Sequence, residues 1–251
     1  MYELTISITF SKSKMIEHIA KDLENEVKLV GGMIVCGLFD GRASLSLAVP
    51  SKDKQFIKAK VLDIISEKIV TNYKYEFLNE NIISGQISES DRITLIRALS
   101  EFDKSTDIDL VKKNLIFSNN IVIDSLYHFK LGELKSRWKE IAELVNISMP
   151  NLIAGDCLTD MMKFLIAASP TKTEDIYLVE NIDSIHITDN ITKSEINFSL
   201  KKVSKNIEEK LISKLIYLSP KRIYVTSDMY NHFEFMKRIE ELFDGKVFIT
   251  R

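Results

Sequence analysis

The sequence predicts an α+β fold, and three observations carry that reading. Residues 4–10, LTISITF, alternate apolar and polar side chains, and Asp40-Gly41 separates two further strand-like runs. Between residues 90 and 169 the apolar residues recur instead at steps of three and four. Beyond residue 175 short alternating runs return, interleaved with helical ones. The expected architecture is an N-terminal β-α-β-β-α module (half of a ferredoxin-like arrangement), a helical middle and a C-terminal α/β segment with a βαβ unit.

The first module begins with the strand at 4–10. Ser11 to Val30 follows as a helix, with Met15, Ile19, Leu23 and Val27 at four-residue steps, and Gly31-Gly32 stops it. Met33–Phe39 and Ala43–Val49 are strands; Asp40-Gly41 supplies the positive φ that a tight hairpin needs. Pro50 ends the second strand. A long helix is expected over 51–78, with Phe56, Ile57, Val61, Ile64, Ile65 and Ile69 inward. No sixth strand is evident. Residues 79–90, NENIISGQISES, break the period, so the domains are expected at 1–80 and 81–251.

In the middle, Ser88 or Ser90 caps a helix near Arg92–Phe102, and Ser105 or Thr106 caps the next. A central helix is expected over Ile123–Val145. There Tyr127, Leu131, Leu134, Trp138, Ile141 and Val145 form one narrow stripe, with the only tryptophan of the chain at its middle. Pro150 opens a fourth helix, Asn151–Ser169, and Pro170 closes it. Strands are expected at 176–179, 184–188 and 195–200. A helix at 207–218, a strand at 222–226, a helix at 231–243 and a last strand at 246–250 follow, the final three in βαβ order. Ser169-Pro170 and Ser219-Pro220 both join a helix to a strand, a shared connector device.

Composition narrows the class. The chain has 251 residues, 45% hydrophobic and 28% charged, enough for a sizeable core. A net charge of −2, from 34 basic and 36 acidic residues, gives no general pull toward nucleic acid or acidic lipid. Residues 1–10 lack the basic start and apolar centre of a signal peptide, and no run of 18 apolar residues exists, so a cytoplasmic protein without membrane contact is expected. Cys36 and Cys157 sit among apolar neighbours and are expected to be reduced, buried thiols.

Catalytic spacings are not found. His18, His128, His186 and His232 are isolated, with no HExxH pair, so neither a metal nor another cofactor is expected. Ser-x-x-Lys recurs at Ser11, Ser51 and Ser136, as a lysine-rich chain produces by chance, and the companion Lys-Thr-Gly is missing. Gly31-Gly32 precedes a strand, not a helix, so it makes no phosphate cradle. Glu208-Glu209 and Glu240-Glu241 diverge by 100° on their helices and form no acid/base couple.

A contact surface is the better candidate. On the central helix His128, Phe129, Lys135 and Lys139 share the side away from the apolar stripe, and Phe129 is an apolar group on an otherwise polar face. Residues 126–140 hold four basic against two acidic side chains, a net +2, with aromatics among them. This face is expected to contact a protein partner. The alternatives are a nucleic-acid-binding module using the same basic face, or an enzyme whose site is assembled from distant residues.

Three segments resemble a known family. Ile123-Asp124-Ser125-Leu126-Tyr127-His128-Phe129-Lys130-Leu131 is similar to the Ile-Asp-Gly-Phe-x-x-Phe-Arg-Leu segment of the YtxC-like sporulation protein family. Met161 to Ile166, followed by Pro170, is similar to that family's apolar helix ending before a proline. Residues 209–223, EKLISKLIYLSPKRI, resemble its Leu-Ile-Ser-x-Leu-Ile-x-x-x-Pro-Lys-x-Ile pattern. The resemblance covers about residues 105–250 and implies a part in endospore formation, without implying an activity. Lys130 stands in place of arginine and Ser125 in place of glycine. Members often end in clustered cysteines that have no counterpart before Arg251, so no metal or redox role is carried over.

Overall fold

The structure, a computed structural model, describes residues 1–83, 87–154, 157–182, 184–189, 195–201 and 207–250. In chain order the elements are β1 (Tyr2–Thr9), α1 (Ser13–Leu29), β2 (Met33–Phe39), β3 (Arg42–Val49), α2 (Lys54–Ile69), α3 (Tyr75–Asn81), α4 (Glu89–Glu101) and α5 (Lys104–Asn114). They continue with β4 (Asn120–Val122), α6 (Ile123–Lys130), α7 (Gly132–Ala154), α8 (Cys157–Ala168), β5 (Thr173–Glu180), β6 (Ser184–Asp189) and β7 (Glu195–Lys201). The last are α9 (Ile207–Leu218), β8 (Pro220–Thr226), α10 (Ser227–His232), α11 (Phe235–Leu242) and β9 (Val247–Thr250). The α+β fold class, the N-terminal β-α-β-β-α order and the C-terminal βαβ region are all present.

Two compact units divide the chain. The first combines Met1–Asn81 with Lys104–Ala142, the second Ile82–Asp103 with Glu143–Arg251. In place of one cut near residue 80, the first unit takes a later segment as well, because that segment completes its sheet.

The first sheet has the order β2-β3-β1-β4. Tyr2, Leu4, Ile6 and Ile8 of β1 and Ala43, Leu45, Leu47 and Val49 of β3 are buried on the face that α1 and α2 cover. Asp40 and Gly41 have φ of 48° and 70°, the positive values expected of the hairpin turn. Gly32 has a different reason for lacking a side chain. A Cβ there would lie 2.6 Å from Val49 Cγ1 and 2.8 Å from the Ala48 carbonyl oxygen. The sixth element missing from the sequence reading is β4, a strand of three residues that pairs parallel with β1 through Ile6 and Ile121. α5, packed on α2, returns the chain to the end where β1 starts, so β4 runs with β1 rather than against it.

Several helices differ from their expected spans. The helix expected over 51–78 is α2 and α3 joined by a π-helical turn, Val70–Lys74, which presents Val70, Tyr73 and Lys74 to the interior. α5 starts at Lys104, after Asp103 at φ 55°, so Ser105 and Thr106 lie in its first turn instead of capping it. Ser88 does cap α4, its Oγ accepting from the Asp91 N–H at 3.1 Å. The central helix is not continuous: it breaks at Leu131 (φ −102°, ψ 38°) into α6 and α7. Leu131, Leu134, Trp138 and Val145 are buried all the same. Gly132 begins α7, and the space beside it is open. α7 runs through residue 150 to Ala154, where a new helix start was expected.

Cys36 is exposed, contrary to the expectation of a buried thiol, because β2 is the outermost strand of its sheet. Partial desolvation, then the charge of Glu17, raises its pKa. The side chain of Cys157 lies outside the described residues.

In the second unit the sheet order is β7-β6-β5-β8-β9, with β5-β8 and β8-β9 parallel. The two Ser-Pro connectors lead into the neighbouring parallel strands β5 and β8, and the Lys172 N–H donates to the Ser219 carbonyl at 3.1 Å to join them. The helix expected over 231–243 is split into α10 and α11 at Phe233.

Candidate contact surface around alpha six

The first unit places α6 by its first turn. Asp124 Oδ2 accepts from the Thr9 N–H and from Arg42 Nη2, both at 2.9 Å. Its Oδ1 accepts from Thr9 Oγ1 at 3.3 Å and Tyr73 Oη at 3.4 Å. One carboxylate thus ties β1, β3 and the π-helical turn to the start of a helix, where negative charge also complements the helix dipole. Tyr73 and Tyr127 stack at 4.1 Å between centroids, and Lys12, ion-paired with Glu76, sits 3.9 Å over the Tyr73 ring. Burial, then the charge of Asp124, pushes the Tyr73 phenol well above its ordinary range. Burial, then Glu76 and Glu80, pushes Tyr127 up to about 12. Neither phenol gives up a proton near neutrality, which suits packing rather than acid/base work.

Below this layer lies a buried ionic cluster. Lys74 Nζ donates to Asp107 Oδ2 at 2.7 Å, and Trp138 Nε1 donates to the same oxygen at 3.0 Å. Arg137 Nε stands 3.8 Å from Asp107 Oδ1. Lys74, Asp107 and Trp138 are all buried. The π-helical turn places Lys74 here, since the widened turn carries its side chain inward with Val70 and Tyr73. A buried lysine requires a counter-charge, and Asp107 supplies it. The pair has a structural role: it fixes the π-helical turn, α5 and α7 about Trp138.

The end of α6 is different. Phe129 is 81% exposed, and His128 and Lys130 beside it are exposed as well. A groove of about 340 Å³ opens next to it, with Leu115, Ile121 and Leu126 in its floor and Ile116, Phe129 and Lys130 along its rim. Ile116 is also largely exposed. The groove follows β4, the outermost strand on this side of the sheet. Lys135 is half-buried: its Nζ donates to the His128 carbonyl at 2.9 Å and lies 5.5 Å from the Tyr127 ring. It caps the broken end of α6. Lys139 is exposed, one turn farther along α7. Of the four expected contact residues, His128 and Phe129 therefore belong to α6 and Lys135 and Lys139 to α7, and Lys135 also serves the fold.

The sequence does not announce the groove, because β4 is not legible in it. Its one local signal is the β-branched run Ile121-Val122-Ile123 between Asn120 and Asp124.

The histidines are dispersed. His232 Nδ1 lies 3.1 Å from Glu180 Oε1, and His186 Nε2 lies 2.6 Å from Ser184 Oγ. His186 pairs across the sheet with Val179, so strand alternation puts it on the face opposite Glu180, and the sheet separates the two pairs. Among the described residues no three His, Cys, Asp or Glu side chains converge to hold a metal ion. No helix among them is long and apolar enough to cross a membrane. The open face of the second sheet carries an aromatic row, Tyr177, Tyr224 and Phe248, with centroids 4.8 and 5.6 Å apart. Tyr177 and Tyr224 stack on one another across their strands.

Comparison of the chain with models of protein families, with curated proteins and with solved structures finds no match.

Proposed function

We propose that this chain is a non-enzymatic cytoplasmic protein of endospore formation that docks another protein on the surface around Phe129. The observation behind the reading is the exposed ring of Phe129 standing beside an apolar groove, on a helix otherwise anchored tightly by Asp124. Exposed aromatics next to apolar pockets are the usual anchors of protein interfaces. Ile123–Leu131, which includes Phe129, is one of the segments that resemble the YtxC-like family, and this supports the link to sporulation. The partner offers an apolar side chain to the groove, with an acidic group toward Lys130 at its rim.

A photo-crosslinking phenylalanine analogue at position 129, expressed in sporulating cells, tests the reading. The expected product is one dominant adduct with a second protein, absent when the analogue sits at exposed Gln55 on α2. Adducts at 129 no more specific than those at 55 would remove the proposal.

A further inference from the structure

The opposite edge of the first sheet shows a second surface. β2, Met33 to Phe39, has no charged residue, no proline and no bulge. Among the described residues nothing pairs with its outer side. Met33, Val35, Leu38 and Phe39 are each more than half exposed, Phe39 the most at 82%. Free edges in monomeric proteins are commonly guarded by charge, proline or a bulge, because their unpaired N–H and C=O groups recruit other strands. This edge has none of those guards.

We propose that two copies of the chain join through β2, antiparallel to itself and centred on Cys36, with the two α1 helices side by side. Three features select a second copy over a foreign strand. The first is register. Placing Cys36 opposite Cys36 is the one antiparallel register that pairs all seven residues. It sets Met33 against Phe39, Ile34 against Leu38 and Val35 against Gly37, where no atom lies within 4 Å of the missing side chain. Bulk thus meets space.

The second feature is charge. Exposed Glu17, Lys21, Glu24 and Lys28 lie along α1 at spacings of four, three and four, forming one stripe. Asp22 and Glu26, on the other flank of the helix, pair with Lys68 and Lys60 of α2, so the stripe lies on the solvent side of α1, tilted away from α2 and toward the free edge. The influence of Glu17 on the Cys36 thiol agrees with that placement. α1 contacts both β2 and β3, so with strands about 4.8 Å apart a two-fold axis beside β2 brings the two helices to roughly 10 Å, a normal packing distance. Within each chain Lys28 Nζ pairs with Glu24 Oε1 at 2.5 Å, so in antiparallel order Glu17 and Lys21 of one copy approach the Lys28–Glu24 pair of the other, Glu17 on the Lys28 side and Lys21 on the Glu24 side. Pairs of this kind give register more than affinity.

The third feature is size. The exposed apolar side chains of β2 present roughly 500 Å² per copy, and the α1 flanks add to this, against the ~800 Å² per side of a standard interface. The contact is isologous and closes, giving an eight-stranded sheet and no filament. It leaves the Phe129 groove, at the β4 edge, free.

Sedimentation of the full chain over a concentration series tests this. The expected result is a dimer of the 28.8 kDa chain. Val35→Lys, at an exposed position, should raise the dissociation midpoint at least ~10-fold while leaving the circular dichroism unchanged. In a Cys157→Ser background, copper–phenanthroline oxidation in air should link Cys36 to Cys36, since directly opposed antiparallel residues lie within disulfide reach. Charge exchange supplies a test that needs no change in the strand. Lys21→Glu with Lys28→Glu, and separately Glu17→Lys with Glu24→Lys, should each weaken association, and an equimolar mixture of the two should restore it. A chain that stays monomeric throughout, a dimer indifferent to Val35→Lys, or a mixture that fails to reassociate would overturn the proposal.

Discussion

The buried pair of Lys74 and Asp107 allows the sharpest test of how the first unit is held together. Replacing Asp107 by asparagine keeps an acceptor for Trp138 Nε1 but removes the negative charge that lies 2.7 Å from the buried Lys74 ammonium in the native protein. Breaking one side of such a pair costs ~3–5 kcal/mol. Lys74→Met is milder in charge but leaves the Asp107 carboxylate buried with Trp138 and the more distant Arg137, so a cost of ~2–4 kcal/mol is expected. The double variant Lys74→Met with Asp107→Asn removes both charges together. Its cost should fall short of the sum of the two singles by ~2 kcal/mol or more, the signature of coupled neighbours. The unit holds about 120 residues in its two segments, so each kcal/mol lowers the melting temperature by roughly 3–5 °C. Trp138 is the only tryptophan and is buried beside the pair, so its fluorescence in a urea titration reports this unit directly. Strictly additive losses, or singles below ~1 kcal/mol, would refute the claim that the pair organises the core.

Three further outcomes follow from the geometry. Gly32→Ala should destabilise the first unit by ~1–3 kcal/mol in the same titration, because the added Cβ meets the Ala48 carbonyl and Val49; an unchanged midpoint would contradict the close approach. Lys135→Ala should cost ~0.5–1 kcal/mol through loss of the α6 cap, whereas Phe129→Ala, at an exposed ring, should melt with the parent. Tyr73 and Tyr127 have folded pKa values above the ordinary 10, so their contribution is fully present below pH 10 and is lost as pH rises through the folded values, about 12 for Tyr127 and higher for Tyr73. Ultraviolet titration should therefore find at least two of the eight tyrosines, Tyr73 and Tyr127, ionising only with unfolding, and Tyr127→Phe should move the alkaline midpoint upward.

Local chemistry made much of this fold legible. The Asp40-Gly41 turn needs only two residues to state its geometry, and the four-residue apolar steps of α1 bury the residues they mark. Long-range pairing was the part that could not be read. β4 has three residues and its partner β1 lies more than a hundred positions away, so no local period announces it. Its absence from the reading also hid the groove beside Phe129. Leu131 keeps the apolar rhythm of a continuous helix while its backbone leaves the helical region, and Lys135 then closes the exposed carbonyl of His128. Side-chain pattern and backbone path part company there. Lys74 reads as a surface residue by type; only the π-helical turn, and Asp107 thirty-three positions later, turn it inward. Cys36 shows the converse. Its apolar neighbours suggest burial, yet its strand is the outermost one, and position in the sheet decides exposure. The exposure of Phe129 was legible, because an apolar side chain set off the stripe has no inward partner in the pattern.

Complementation tests the docking function most directly. A strain deleted for this protein should be restored to normal spore yield by the parent chain and by Gln55→Lys, but not by Phe129→Glu produced at equal level and equal melting temperature. Full restoration by Phe129→Glu would contradict the account.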